Sequence, residues 1–188
     1  MARRRLAAFP EADVVVADFE RWELPPEPYD LVVSGTSFHW IDPAVRVVKA
    51  ARALRPGGRL VLVTTHHVAG GTEEFFTRAQ DCYERLDPAT PPGLRARDAA
   101  VVSTDIGELT GSPLFGEVAV ERHVRDIAYS ADEYLGVLLT YSGHRALDDT
   151  AREGLLGCIR ELIETRYGGR VTKRYLHELI TAPRVAQN

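Results

Sequence analysis

The chain has 188 residues, 45% apolar and 27% charged, which excludes a disordered polymer and gives a single domain enough volume to bury a core. Lys plus Arg number 23 against 27 Asp plus Glu, and the net charge of −4 argues against general nucleic-acid binding. No apolar run approaches the roughly 20 residues of a membrane helix. The basic start Met1-Ala2-Arg3-Arg4-Arg5 has no apolar signal core after it, so a cytoplasmic location without membrane contact is expected. Cys82 and Cys158 lie far apart on predicted helix faces beside apolar residues. They read as core thiols in a reducing compartment, without a disulfide framework or a zinc site.

Leu6 to Phe9 continues a short helical stretch that begins at Arg3 and stops at Pro10. Asp13-Val14-Val15-Val16-Ala17 is a compact β-branched run, read as a buried parallel strand. Three prolines between Leu24 and Pro28 exclude helix and central strand. Tyr29 to Ser34 is the next strand. Asp42 caps a helix with Pro43 in its first position and Ala44, Val47, Val48, Ala51 and Leu54 on its apolar face. Pro56-Gly57-Gly58 stops it, and Arg59 to Thr65 is a third apolar strand. Strand, helix, strand with short connections is a crossover unit of a parallel α/β sheet.

Thr72 to Leu86 predicts a helix with Phe75, Ala79, Cys82, Tyr83 and Leu86 inward. A proline-rich loop over 87–93 and a short helix over 104–109 follow. Residues 117–129 alternate as a strand. Ser130 to Glu133 is a capping box that opens a helix through Leu139. A helix over 150–166 buries Leu155, Leu156, Ile159, Leu162 and Ile163, and a last strand covers 171–180. These later strands suggest an antiparallel edge on a mostly parallel sheet.

In open α/β sheets, ligands bind beyond the carboxyl ends of the strands. Three such ends are Asp18-Phe19, Ser34-Gly35 and Thr65-His66. The residues Ala17-Asp18-Phe19-Glu20, Tyr29-Asp30-Leu31-Val32-Val33-Ser34, Phe38-His39-Trp40 and Ala53-Leu54-Arg55-Pro56-Gly57-Gly58-Arg59-Leu60 follow in order. Over residues 11–66 this succession resembles the class I S-adenosylmethionine-dependent methyltransferases, in their small-molecule, type-11 or trans-aconitate-methyltransferase-like group. The resemblance implies a Rossmann-like sheet with a helical cover, in one domain over 1–188. Within it, 1–66 would be the remaining cofactor-side core, 67–116 and 130–170 the helical cover, and 117–129 and 171–182 the C-terminal strands.

The resemblance also implies roles. Asp18 would meet the adenine amino group and the Phe19 backbone the ring edge, while Ser34 and Gly35 line the cofactor cleft. Phe38, His39 and Trp40 would wall the junction of cofactor and substrate, with His39 as candidate acid or base. His39 reads equally as a hydrogen-bonded histidine buried beside Trp40. Tyr141, Ser142 and His144, between two C-terminal helices, stand where such enzymes place substrate contacts. Ser142 reads better as a plain turn residue. Methyl transfer needs no metal and no covalent nucleophile, since positioning supplies much of the rate.

The departure from the family is the beginning: no Gly-x-Gly strand precedes Asp13, so the glycine loop, the ribose acid and two central strands are expected to be lacking. Binding of S-adenosylmethionine is then expected to be weak or lost. The 13–17 and 29–34 strands would either pair directly or offer open edges to a second copy. The second reading is therefore a non-catalytic binding or assembly module. A nicotinamide-binding domain lacks its glycine fingerprint here. Gly35-Thr36-Ser37-Phe38-His39 lacks the last glycine of a nucleophile elbow. His66 and His67, adjacent on a strand, point to opposite faces and cannot chelate together.

Overall fold

The computed structural model describes residues 6–87 and 90–186. They form β1 (Tyr29–Gly35), α1 (Pro43–Ala53), β2 (Leu54–Gly71), α2 (Glu73–Leu86), α3 (Gly107–Thr110) and β3 (Ala119–Ser130). After these come α4 (Ala131–Leu138), α5 (Ser142–Ala146), α6 (Asp149–Arg166) and β4 (Arg170–Pro183), with single 3-10 turns at Phe38–Trp40 and Ala99–Val101. The sheet order is β1-β2-β4-β3. Residues 6–63, 105–120 and 180–186 make one compact unit, and 64–104 with 121–179 make another, leaving out residues 88–89.

In the first unit β1 and β2 are parallel, in register from Leu31 opposite Arg59 to Gly35 opposite Val63, as the crossover pattern requires. Asp42 Oδ1 accepts from the Ala44 N–H at 2.8 Å and starts α1 on Pro43. The helix buries Val47, Ala50, Ala51 and Ala53, with Leu54 behind them. Val48 and Ala44, expected inward, face water. The core here joins those residues to Leu60, Leu62, Leu109, Phe115, Ile180 and Ala182. A bidentate Arg46–Glu108 pair, both oxygens at 2.6 Å, ties α1 to α3.

The predicted strand over 13–17 is a correction. Residues 12–18 take no regular secondary structure, and Val16 is 93% exposed. A β-branched run is extended by nature, but it becomes a strand only where a ladder receives it. Among the described residues β1 is the end of the sheet, and its Leu31 and Val33 are exposed. Leu6 to Pro10 forms turns, not helix. Arg3 to Arg5 lie outside the described residues.

In the second unit, β2 and β4 run antiparallel: Thr64 meets Glu178, and eight residues on, Thr72 N–H reaches the Thr172 carbonyl. β3 and β4 are antiparallel too, with Arg122 at Glu178 and Arg174 at Asp126. β2 thus continues six residues past its expected end, to Gly70-Gly71, both at positive φ. A side chain at Gly71 would drive into the Thr172 carbonyl oxygen. The Ser130–Glu133 capping box forms as read. Helices α2, α4 and α6 enclose a core of Phe75, Ala79, Tyr134, Leu135, Leu138, Leu155, Ile159 and Ile163.

Cys82 on α2 and Cys158 on α6 form a disulfide, with Cα atoms 6.0 Å apart across 76 residues of sequence. This corrects the expectation of two free core thiols. Two helix faces that pack together bring the sulfurs into bonding range, which sequence spacing does not reveal. Among the described residues no helix is long and apolar enough to cross a membrane.

Candidate functional site

The first group of predicted residues sits in the first unit, at the carboxyl end of β1. Ser34 Oγ and Ser37 Oγ are 2.9 Å apart. Between them Thr36 has φ 51°, a left-handed conformation that is strained for a β-branched residue and costs about 1–3 kcal/mol. Its N–H is held by the Val63 carbonyl at 2.8 Å. A methyl group placed on Gly35 meets nothing within 4 Å, so the backbone there is open to approach.

The 3-10 turn that follows carries Phe38, His39 and Trp40. The His39 and Trp40 rings lie 4.8 Å apart, and Trp40 is 72% exposed. His39 is therefore a solvent-facing imidazole beside an exposed indole, not a buried histidine. Phe38 packs on the core, with the Arg46 guanidinium 5.5 Å over its ring.

Asp18 and Phe19 lie on a loop pinned to α1. Asp18 Oδ1 accepts from the Glu20 N–H at 3.0 Å, and its carbonyl accepts from Arg21 and Trp22. Glu20 accepts from the Asp42 N–H at 2.8 Å. Lys49 Nζ donates to the Glu20 and Trp22 carbonyls and lies 5.7 Å over the Phe19 ring. The loop is thus fixed beside the start of α1, and the Asp18 carboxylate remains half-exposed. This part of the first unit thus presents a hydrogen-bond acceptor at Asp18 and open backbone at Gly35.

Tyr141 and His144 belong to the second unit: Tyr141 stands just before the short helix α5, and His144 is on it, where a turn was expected. His144 Nε2 and Tyr83 Oη are 2.9 Å apart. Tyr141 Oη accepts from Lys173 Nζ at 3.1 Å. Ser142 opens α5 and is exposed. Lys173 was not singled out in the sequence. It is 4% exposed, with its Nζ 5.2 to 5.8 Å from the ring centres of Tyr134, Tyr141 and Tyr175. Burial pulls its pKa from the ordinary 10.5 down to about 8. The available signal was alternation: Val171, Lys173 and Tyr175 share one face of β4.

A second overlooked group surrounds Glu178, which is 2% exposed. Its oxygens accept from Thr64 Oγ1 at 3.2 Å and from Thr104 Oγ1. They also meet His66 Nε2 at 3.0 Å and Arg122 Nε at 3.2 Å. Burial pushes its carboxyl up, but the hydrogen bonds from Thr104, His66 and Thr64 outweigh that and hold it below its ordinary value. His67, next along β2, stacks edge-on with Phe76 at 4.5 Å. The two histidines do face opposite ways.

Residues 1–62 match the family model described as a methyltransferase domain. Uncharacterized methyltransferases of Mycobacterium bovis and Mycobacterium tuberculosis are 40% identical over 57 residues, which is 30% of this chain. The match spans 24% of the length of those relatives. The solved structure of a protein named a type II methyltransferase, from Anaeromyxobacter dehalogenans, superposes with a TM-score of 0.57 at 22% identity. It covers 95% of this chain and 74% of that one. The likeness establishes the fold. Residues 1–62 are accordingly similar to a methyltransferase domain, and the chain shares the fold of that solved methyltransferase structure.

Proposed function

We propose that the chain serves S-adenosylmethionine-dependent methyl transfer to a small-molecule acceptor. The observation that supports this most is the parallel β1–α1–β2 unit, lying within the matched segment and open at Ser34-Gly35. The cofactor would bring the methyl group itself. Asp18 would accept from the adenine amino group, Phe19 would lie along the ring edge, and Ser34 and Gly35 would border the adenosine. His39, exposed on its turn, would take or hold a proton of the acceptor, with Trp40 and Phe38 beside it.

Calorimetry of the chain with S-adenosylmethionine tests the reading: binding that is lost in Asp18→Ala supports it, and no binding, or binding unaltered in Asp18→Ala, counts against it. The alternative, a non-catalytic binding or assembly module, draws on the exposed Leu31 and Val33 of β1 and on Val16. A second copy pairing along that edge is its occupant. Light scattering that stays monomeric at high concentration counts against it.

A further inference from the structure

Lys173 stands at a core-facing register of β4, where its neighbours two residues away are Val171 and Tyr175. An ammonium in such a place is ordinarily matched by a carboxylate. Among the described residues no carboxylate stands within ion-pair distance of it. The acceptor it has is the hydroxyl of Tyr141. Of its three N–H donors, one is thereby used.

The surroundings are rich in donors, and the carboxylate that acts on them, Asp87, faces His144 and Tyr83 and not Lys173. The Tyr129 and Tyr175 hydroxyls lie 3.2 Å apart, and Tyr175 also hydrogen-bonds Tyr141, so the three phenols form one network beside the ammonium. His67 Nε2 is buried and has no hydrogen-bond partner, an exception that asks for an explanation. Burial first, and the Lys173 charge second, drive His67 down to about 4 and push His144 down as well. Both imidazoles are therefore neutral near pH 7, and Lys173 is the cation of the cluster. Its walls are rings: Tyr134, Tyr141 and Tyr175 around the ammonium. Tyr141 is the most exposed of these side chains, at 37%.

We propose that the Lys173 cluster is a binding site for a small acid, an anionic oxygen group carried on a flat apolar body. The anion would take the free N–H groups of Lys173 as a charge-assisted pair, and its body would lie against the tyrosine rings. A quaternary ammonium, the usual guest of an aromatic cage, is excluded because the cage already holds a cation. The assignment is independent of methyl transfer, because its readout is binding.

The test is calorimetry at pH 7 on the whole chain, with benzoate, phenyl phosphate and the neutral isostere benzamide as probes. Benzoate or phenyl phosphate is expected to bind at least tenfold more tightly than benzamide, and which of the two leads identifies carboxylate or phosphate as the source. Lys173→Met should lose that preference while keeping its circular dichroism and cooperative melting. Tyr141→Phe, which keeps the charge, should retain binding within about threefold. Equal binding of benzoate and benzamide, an unaltered preference in Lys173→Met, or no binding of either anion at millimolar concentration overturns the proposal. A failure of S-adenosylmethionine to bind leaves these outcomes untouched.

Discussion

Lys173→Met is expected to stabilise the protein, and the gain is expected to depend on pH. Burial lowers the Lys173 pKa from 10.5 to about 8. At 1.36 kcal/mol per pKa unit, holding the charged form in the folded state at pH 7 costs roughly 3 kcal/mol. Methionine fills similar volume without charge and removes that cost. It also gives up the Tyr141 hydrogen bond and the ring contacts, together about 1 kcal/mol. The net gain at pH 7 is then about 2 kcal/mol. Between about 8 and 10.5 the unfolded chain still binds the proton that the folded chain has released, so wild-type stability rises with pH through this window. By pH 9.5 the variant's advantage should fall by about 2 kcal/mol, close to zero. Tyrosine ionisation in the unfolded chain affects both proteins alike and cancels in the difference. Urea unfolding of both proteins at pH 7 and pH 9.5 measures it. A variant less stable than wild type at pH 7, or a gain of the same size at both pH values, refutes the reasoning.

Two further outcomes are expected. Reducing the Cys82–Cys158 bond frees a loop with a sequence separation of 76 residues and should lower stability by up to about 4.5 kcal/mol on the chain-entropy account. Melting with and without reductant reads this, and identical curves would show that the two sulfurs are not bonded in solution. Glu178→Gln should destabilise by about 2 kcal/mol near neutrality, since hydrogen bonds to a buried charge are lost or weakened. Because the folded carboxyl lies below its ordinary value, its contribution is present above about pH 4.5 and is lost as pH falls through the folded pKa. The Gln variant should therefore lose less stability than wild type on acidification below pH 4.5. Parallel acid profiles would discard that account.

What could be read from the sequence was what is local. The Asp42–Pro43 start of α1 and the Ser130–Glu133 box are decided within four residues, and both form as written. β1 and β2 carry enough apolar residues to be recognised, and their parallel pairing follows from the helix between them. Residues 13–17 failed for the opposite reason: a strand needs a neighbour, and β-branching does not supply one. The Cys82–Cys158 bond and the Lys173 cluster were hidden because each depends on elements distant in the chain. In the candidate site, Ser34 and Gly35 emerged at an open strand end. Phe38 packs partly against the core, and an aromatic in that position can serve as core and as cleft wall at once.

The two kinds of glycine in the strands set how far each can be used as a tool. At Gly71 the Thr172 carbonyl occupies the space that any side chain would need, so a saturation library should return glycine almost alone. Gly35 is the reverse: it lies outside the left-handed region and has room for a methyl group. Alanine there should fold like the parent, which makes it a steric reporter. Any molecule that approaches the β1 backbone closely will notice the added methyl, and one that binds elsewhere will not.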